Sequence, residues 1–73
     1  MPEYDLHGYK LDEAIRFVES IIGKVRLEGK EEVVKIITGR GIIRSALVNY
    51  FKKNQIQFDF ELGNDGALVV EID

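Results

Sequence analysis

The chain has 73 residues, no cysteine and a formal net charge of −3. That length suits one small domain, near the lower limit for a self-sufficient core. With no disulfide framework or thiolate metal site to draw on, packing of its 45% hydrophobic residues must hold it together. The start, Met1-Pro2-Glu3-Tyr4-Asp5, has neither the basic opening nor the apolar run of a signal peptide. No stretch approaches the roughly 18–20 apolar residues of a membrane helix. A cytoplasmic monomer that does not engage a membrane is the expectation.

In chain order, residues 4–7 read as a short strand. From Leu11 the apolar residues fall at Leu11, Ala14, Ile15, Val18, Ile21, Ile22 and Val25, steps of three and four that predict a helix over about 11–28 with one buried face. Asp12 and Glu13 suit the positive end of its dipole, and Gly29 suits its stop. The β-branched run Val33-Val34-Lys35-Ile36-Ile37 predicts a strand covered on part of both faces. Ile43, Ala46, Leu47, Tyr50 and Phe51 predict a second helix over about 42–53, ended by Asn54. The tail then alternates: Phe58, Phe60 and Leu62 oppose Asp59 and Glu61, and Leu68, Val70 and Ile72 oppose Glu71 and Asp73. Gly63-Asn64-Asp65-Gly66 between them has hairpin-turn composition. The order β-α-β-α-β-β with right-handed crossovers puts both helices on one face of the sheet and leaves an acidic face open to water.

Charge is unevenly distributed. Residues 1–34 carry five Lys/Arg against eight Asp/Glu, residues 54–73 carry five acids and no base, and residues 35–53 carry Lys35, Arg40, Arg44, Lys52 and Lys53 with no acid. A basic island in an acidic chain is either a solvated helix face or a polyanion footprint.

Two motifs carry candidate chemistry. His7 is the only histidine, and imidazole suits proton transfer near neutral pH. Asp5, two residues earlier, would share its strand face and could hydrogen-bond the ring. Thr38-Gly39-Arg40-Gly41 marks a strand-to-helix turn where glycines allow close approach of a ligand and helix N–H groups favour an anion. Arg40 and, one turn on, Arg44 would supply forked permanent charge. Two parallel strands would bring both motifs to one carboxyl-end edge, where ligands of open α/β sheets collect. The 63–66 hairpin tip would join that rim. Taken singly, a lone histidine and a Gly-x-Gly turn are more often structural; together they point to phosphate and thus to nucleic acid. Tyr9 and Lys10 follow Gly8 in the same loop, within reach of a bound strand. Asp5 and His7 have no second histidine or carboxylate cluster to complete a metal site, so none is predicted, and dependence on a divalent ion stays open.

Asp5-Leu6-His7-Gly8, Glu13-Ala14, Ile36-Ile37-Thr38-Gly39-Arg40-Gly41 and Gly66-Ala67-Leu68-Val69-Val70-Glu71, in this order, resemble the Smr (small MutS-related) domain family, found at the C-terminus of MutS2 proteins and as stand-alone or fused modules. The resemblance spans essentially residues 1–73 as a single domain. It implies an α/β two-layer sandwich similar to the C-terminal domain of translation initiation factor 3. In that fold a four-stranded mixed sheet is ordered 1-2-4-3, with strand 4 antiparallel and both helices on one face. It further implies DNA-nicking or RNA-endonuclease activity, RNA or DNA as partner and a link to the ribosome. Asp5 and His7 would be catalytic; Gly8, Lys10, Thr38, Gly39, Arg40, Gly41 and Arg44 would bind phosphate or nucleic acid. Two readings without catalysis remain beside it: a module that only binds nucleic acid or the ribosome through the basic island, and an adaptor that contacts protein through the acidic face.

Overall fold

A computed structural model describes residues 1–73. It contains β1 (Glu3–Asp5), α1 (Leu11–Leu27), β2 (Glu32–Ile37), α2 (Ile42–Lys53), β3 (Gln57–Glu61) and β4 (Asn64–Ile72). The four strands form one sheet in the order β1-β2-β4-β3. β1 runs parallel to β2, with Tyr4 opposite Ile36, and β4 lies antiparallel between β2 and β3.

α1 buries Ala14, Val18, Ile21, Ile22 and Val25, the stripe expected from helical spacing. Leu11, expected on that stripe, is instead half exposed at the first turn. The helix begins where the Lys10 N–H donates to the Glu13 carboxylate at 3.0 Å. It ends in a Schellman turn: the Lys30 N–H donates to the Val25 carbonyl, the Gly29 N–H donates to that of Arg26, and Gly29 takes φ +67°. α2 closes the same way, from Ile56 N–H to Phe51 O at 2.9 Å, with Gln55 at the left-handed position at φ +56°.

The core lies between the helices and one sheet face. Leu6, Val18, Val34, Ile36, Leu47, Phe51, Leu68 and Val70 are sealed from solvent, with Phe17, Tyr4, Tyr50 and Phe58 packed around them. Both helices cover the same face, and only there is β2 sealed, at Val34 and Ile36. On the other face Val33 is 40% exposed while Lys35 and Ile37 are half-buried, so cover there is partial, in line with the β-branched run.

Three further expectations change. β1 stops at Asp5, because the chain turns at once: the Tyr9 N–H donates to the Leu6 carbonyl at 3.0 Å and Gly8 takes φ +92°. His7 therefore sits in a turn and not in the strand. The hairpin tip is shorter than 63–66. β4 begins at Asn64, and Leu62 lies fully exposed at the tip and outside the apolar face. Finally, strand alternation takes Lys35 out of the basic island: it points to the open face, between Glu61 at 2.7 Å and Glu3 at 3.4 Å.

Candidate functional site

Parallel pairing of β1 and β2 sets Asp5 opposite Ile37, so the segments that follow leave the sheet at the same edge. The turn after β1 carries His7, Gly8 and Tyr9. The turn after β2 carries Thr38, Gly39, Arg40 and Gly41 and runs into α2. Between the two lies a cleft of about 430 Å³. His7 packs across it onto Gly39: a Cβ at position 39 would lie 3.1 Å from His7 Cδ2. The two motifs identified in the sequence are thus in direct contact.

The second turn is anchored from below by one carbonyl. Gly66 O accepts from the N–H groups of Thr38 at 2.9 Å and Gly39 at 3.0 Å. The two glycines pack closely, and a Cβ at Gly66 would make ordinary contact with Gly39 Cα at 3.6 Å. Thr38 is 4% exposed, and its hydroxyl donates to the Gly39 carbonyl at 2.7 Å with Gly66 O at 3.3 Å. Thr38 therefore holds the turn together, and its hydroxyl is not turned outward for phosphate. The Gly39 N–H is likewise engaged.

The amides beyond them are not. The N–H groups of Arg40, Gly41, Ile42, Ile43 and Arg44 have no acceptor within the chain. Gly41 is the N-cap of α2 and has no side chain to cap with, and the first turn of α2 contains no acid. α1 differs on both counts, with Asp12 and Glu13 in its first turn and Glu13 closing back on Lys10. The start of α2 is thus an uncompensated positive end with free donors, suited to an anion.

Arg40 of the turn and Arg44 of α2 point to one acid. Arg40 Nε donates to Asp65 Oδ1 at 2.6 Å, and Arg44 Nη1 donates to the Asp65 main-chain carbonyl at 2.8 Å with Oδ2 at 3.5 Å. Arg44 also lies over the Phe60 ring, 5.7 Å from its centre. The 63–66 segment does reach the rim, as expected, at the start of β4. Its contribution, through Asp65 and Gly66, was not foreseen. The only sequence signal for Asp65 was a carboxylate in a hairpin that the topology carries to the rim.

Asp5 also acts differently from expectation. Its Oδ1 accepts from the main-chain N–H of His7 at 2.9 Å, so it shapes the turn that presents the imidazole and does not bond the ring. Gly8 supplies the left-handed residue of that turn. Tyr9, 40% exposed, rests edge-on against Phe17 with ring centres 5.9 Å apart. Lys10 is an exposed residue at the start of α1 and does not line the cleft. No group of three or more His, Cys, Asp or Glu side chains suited to a metal ion is present, and no helix is long and apolar enough to cross a membrane.

A family model described as the Smr domain matches residues 4–73. Endonuclease MutS2 of Acetivibrio thermocellus is 36% identical over 96% of the chain, and Endonuclease MutS2 of Caldanaerobacter subterraneus subsp. tengcongensis is 32% identical over 97%. The chain spans about a tenth of the length of these relatives. Among solved structures, the Smr domain of Thermus thermophilus MutS2 superposes with TM-score 0.83 at 22% identity, covering 100% of this chain and 99% of that one. The B3BP Smr domain superposes with TM-score 0.76 at 26% identity, covering 94% of this chain and 75% of that one.

Proposed function

The chain belongs to the Smr domain family, and on that premise we propose that it binds nucleic acid at the Thr38–Gly41 turn and cleaves a phosphodiester there. The observation that carries this reading is the cleft in which the His7 imidazole faces the uncapped N-terminus of α2 across Gly39. A scissile phosphate seated on the free N–H groups of Arg40 to Ile43 would have its developing charge stabilised by fixed dipoles and by the Arg40 guanidinium. His7, presented from the opposite wall, would exchange a proton with the attacking or leaving oxygen. Asp5 and Gly8 would act through the shape of the His7 turn, and Thr38 through the anchoring of the glycine turn. The Endonuclease MutS2 relatives, each matched over nearly all of this chain, support the same chemistry.

Purified protein should cut end-labelled RNA or DNA, and His7→Ala should reduce cutting by roughly 10²–10⁴-fold, the range of general acid–base catalysis. Full activity in that variant would rule the mechanism out. Running RNA and DNA in parallel, with and without chelator, identifies the substrate and any need for a divalent ion.

One observation favours a second reading, in which the domain binds without cutting. The Asp5 carboxylate is engaged by the main chain, leaving His7 without a side-chain partner to orient its ring. In that case Arg40→Ala and Arg44→Ala weaken salt-sensitive binding to RNA, DNA or the ribosome, and no fragments form under any condition.

A further inference from the structure

The feature of the rim that the proposed function leaves unused is Asp65. It is an acid placed where the site needs positive charge, and it engages both Arg40 of the turn and Arg44 of α2. The Arg40 side chain has Asp65 as its one hydrogen-bond and ion-pair partner: its Nε bonds Asp65 Oδ1 at 2.6 Å, and both side chains are largely exposed. Arg44 is held differently. It bonds the Asp65 main-chain carbonyl at 2.8 Å, stacks on Phe60 and is about three-quarters buried, with the carboxylate a further 3.5 Å contact. Removing the carboxylate would therefore release Arg40 while leaving Arg44 and the start of β4 in place.

We propose that Asp65 is a built-in competitor for the phosphate site, a carboxylate that neutralises Arg40 until a nucleic-acid phosphate displaces it. The inference rests on the binding function proposed above and adds the residue that sets its strength. Three arguments support this sign over the opposite one, in which Asp65 would merely position the arginines. Arg40 follows Gly39 in the turn and precedes the free amides of α2, so a phosphate on those amides lies beside the guanidinium that Asp65 now holds. A carboxylate at that place repels the same phosphate. Arg44, the cation that does need positioning, is fixed by a carbonyl and a ring and does not depend on the carboxylate.

The consequence is a domain with weak affinity for any single phosphodiester and strong dependence on what else holds the strand nearby. Displacement of one anion by another leaves the charge count at Arg40 unchanged, so the wild-type site should release fewer counterions than its arginines alone would suggest.

The test is binding of a short fluorescein-labelled single strand, RNA and DNA in parallel, to wild type and Asp65→Asn across a salt series. Asp65→Asn should bind several-fold tighter at low salt. Its slope of log K against log[salt] should steepen by about 0.7, one phosphate's worth for a single strand. In an Arg40→Ala background the gain from Asp65→Asn should shrink to the part that comes from direct repulsion of the phosphate, while melting curves confirm that each variant is folded. Wild-type binding with no gain, or a loss, in Asp65→Asn would overturn this inference alone. No binding by wild type, Asp65→Asn and Arg40→Ala alike would overturn the nucleic-acid function and this inference with it.

Discussion

The imidazole of His7 lies against the Cα of Gly39, so near that a Cβ at position 39 would stand 3.1 Å from Cδ2 and 3.9 Å from Nε2 of the ring. One residue comes from the turn after β1 and the other from the turn after β2, and their contact is what makes a single site of two motifs some thirty residues apart. Gly39 serves it twice. Its φ of +72° lets the strand hand over to α2, and its missing side chain gives the ring its place.

Gly39→Ala and Gly8→Ala separate these two roles. Both positions have positive φ, +72° and +92°, so each substitution should cost about 1–2 kcal/mol in backbone strain. At Gly8 an added Cβ would meet nothing within 4 Å, whereas at Gly39 it presses on the imidazole. Denaturant melts should show similar destabilisation for the two. The His7 ring resonances should shift strongly only in Gly39→Ala, and cleavage by the folded protein should fall further there. Equal shifts in both variants would remove Gly39 as the residue that seats the ring.

Thr38 invites the opposite expectation from that of a ligand contact. Its buried hydroxyl bonds Gly39 O and lies near Gly66 O, beneath the turn. Thr38→Val deletes this bond and leaves the carbonyl of Gly39 without its donor, which should lower stability by about 1–2 kcal/mol. Thr38→Ser should retain most of that stability. Binding per folded molecule should stay near wild type in both. A Thr38→Val variant that melts normally yet fails to bind would return the hydroxyl to the phosphate-contacting set.

How far the sequence could be read follows from the range of each interaction. The stripes Ala14–Val18–Ile21–Val25 and Leu47–Phe51 were legible because helical spacing is a local property. Phe58, Leu68 and Val70 were legible because strand alternation is local too. The meeting of His7 with the glycine turn was legible at one remove, since two parallel strands joined by a crossover must end at one edge. The roles of Asp65 and Gly66 were not. Topology carries the 63–66 segment to the rim, but it does not say which side-chain and main-chain groups at the start of β4 will bond a turn 25 residues or more away in sequence. Lys35 shows the converse failure: adjacent to the glycine turn in the chain, it counted with Arg40 and Arg44, yet strand parity sends it to the opposite face. Spacing places Asp5 beside the His7 ring and Thr38 beside the phosphate site, yet both bond the main chain instead, because spacing does not reveal which main-chain group a short polar side chain will bond first.

The helix ends offer a prediction about stability alone. α1 and α2 stop in the same turn, with Gly29 at the left-handed position of one and Gln55 at that of the other. A residue with a Cβ is strained there, so Gln55→Gly should stabilise the protein by about 0.5–1 kcal/mol, and Gly29→Ala should destabilise it by a similar amount. No Cβ clash awaits at Gly29, so the effect there is conformational. The two changes should leave nucleic-acid binding untouched. A Gln55→Gly protein that melts below wild type would mean that the Gln55 side chain contributes more than the strain removes.

The open face of the sheet predicts a dependence on pH. Lys35 sits between Glu61 and Glu3, and its hydrogen bond to Glu61 is the main cause of two opposite shifts: the Lys35 ammonium is held above its ordinary value of 10.5, and the Glu61 carboxyl below its ordinary 4.5. Burial opposes both shifts, and the Asn64 amide reinforces that of Glu61. A carboxyl depressed in the folded protein takes up its proton first in the unfolded chain. Its stabilisation is therefore complete above about pH 4.5 and is lost as pH falls through the lower folded value. For Lys35 the sign reverses: its contribution is complete below about pH 10.5 and is lost as pH rises through the higher folded value. The melting temperature of wild type should exceed that of Glu61→Gln by a small, constant margin across the neutral range, as befits a pair still partly in solvent. That margin should shrink toward zero as the medium is acidified below the usual carboxylate range, and high salt should shrink it at neutral pH. A margin that survives full acidification would show that Glu61 stabilises the sheet edge by packing and not through its charge.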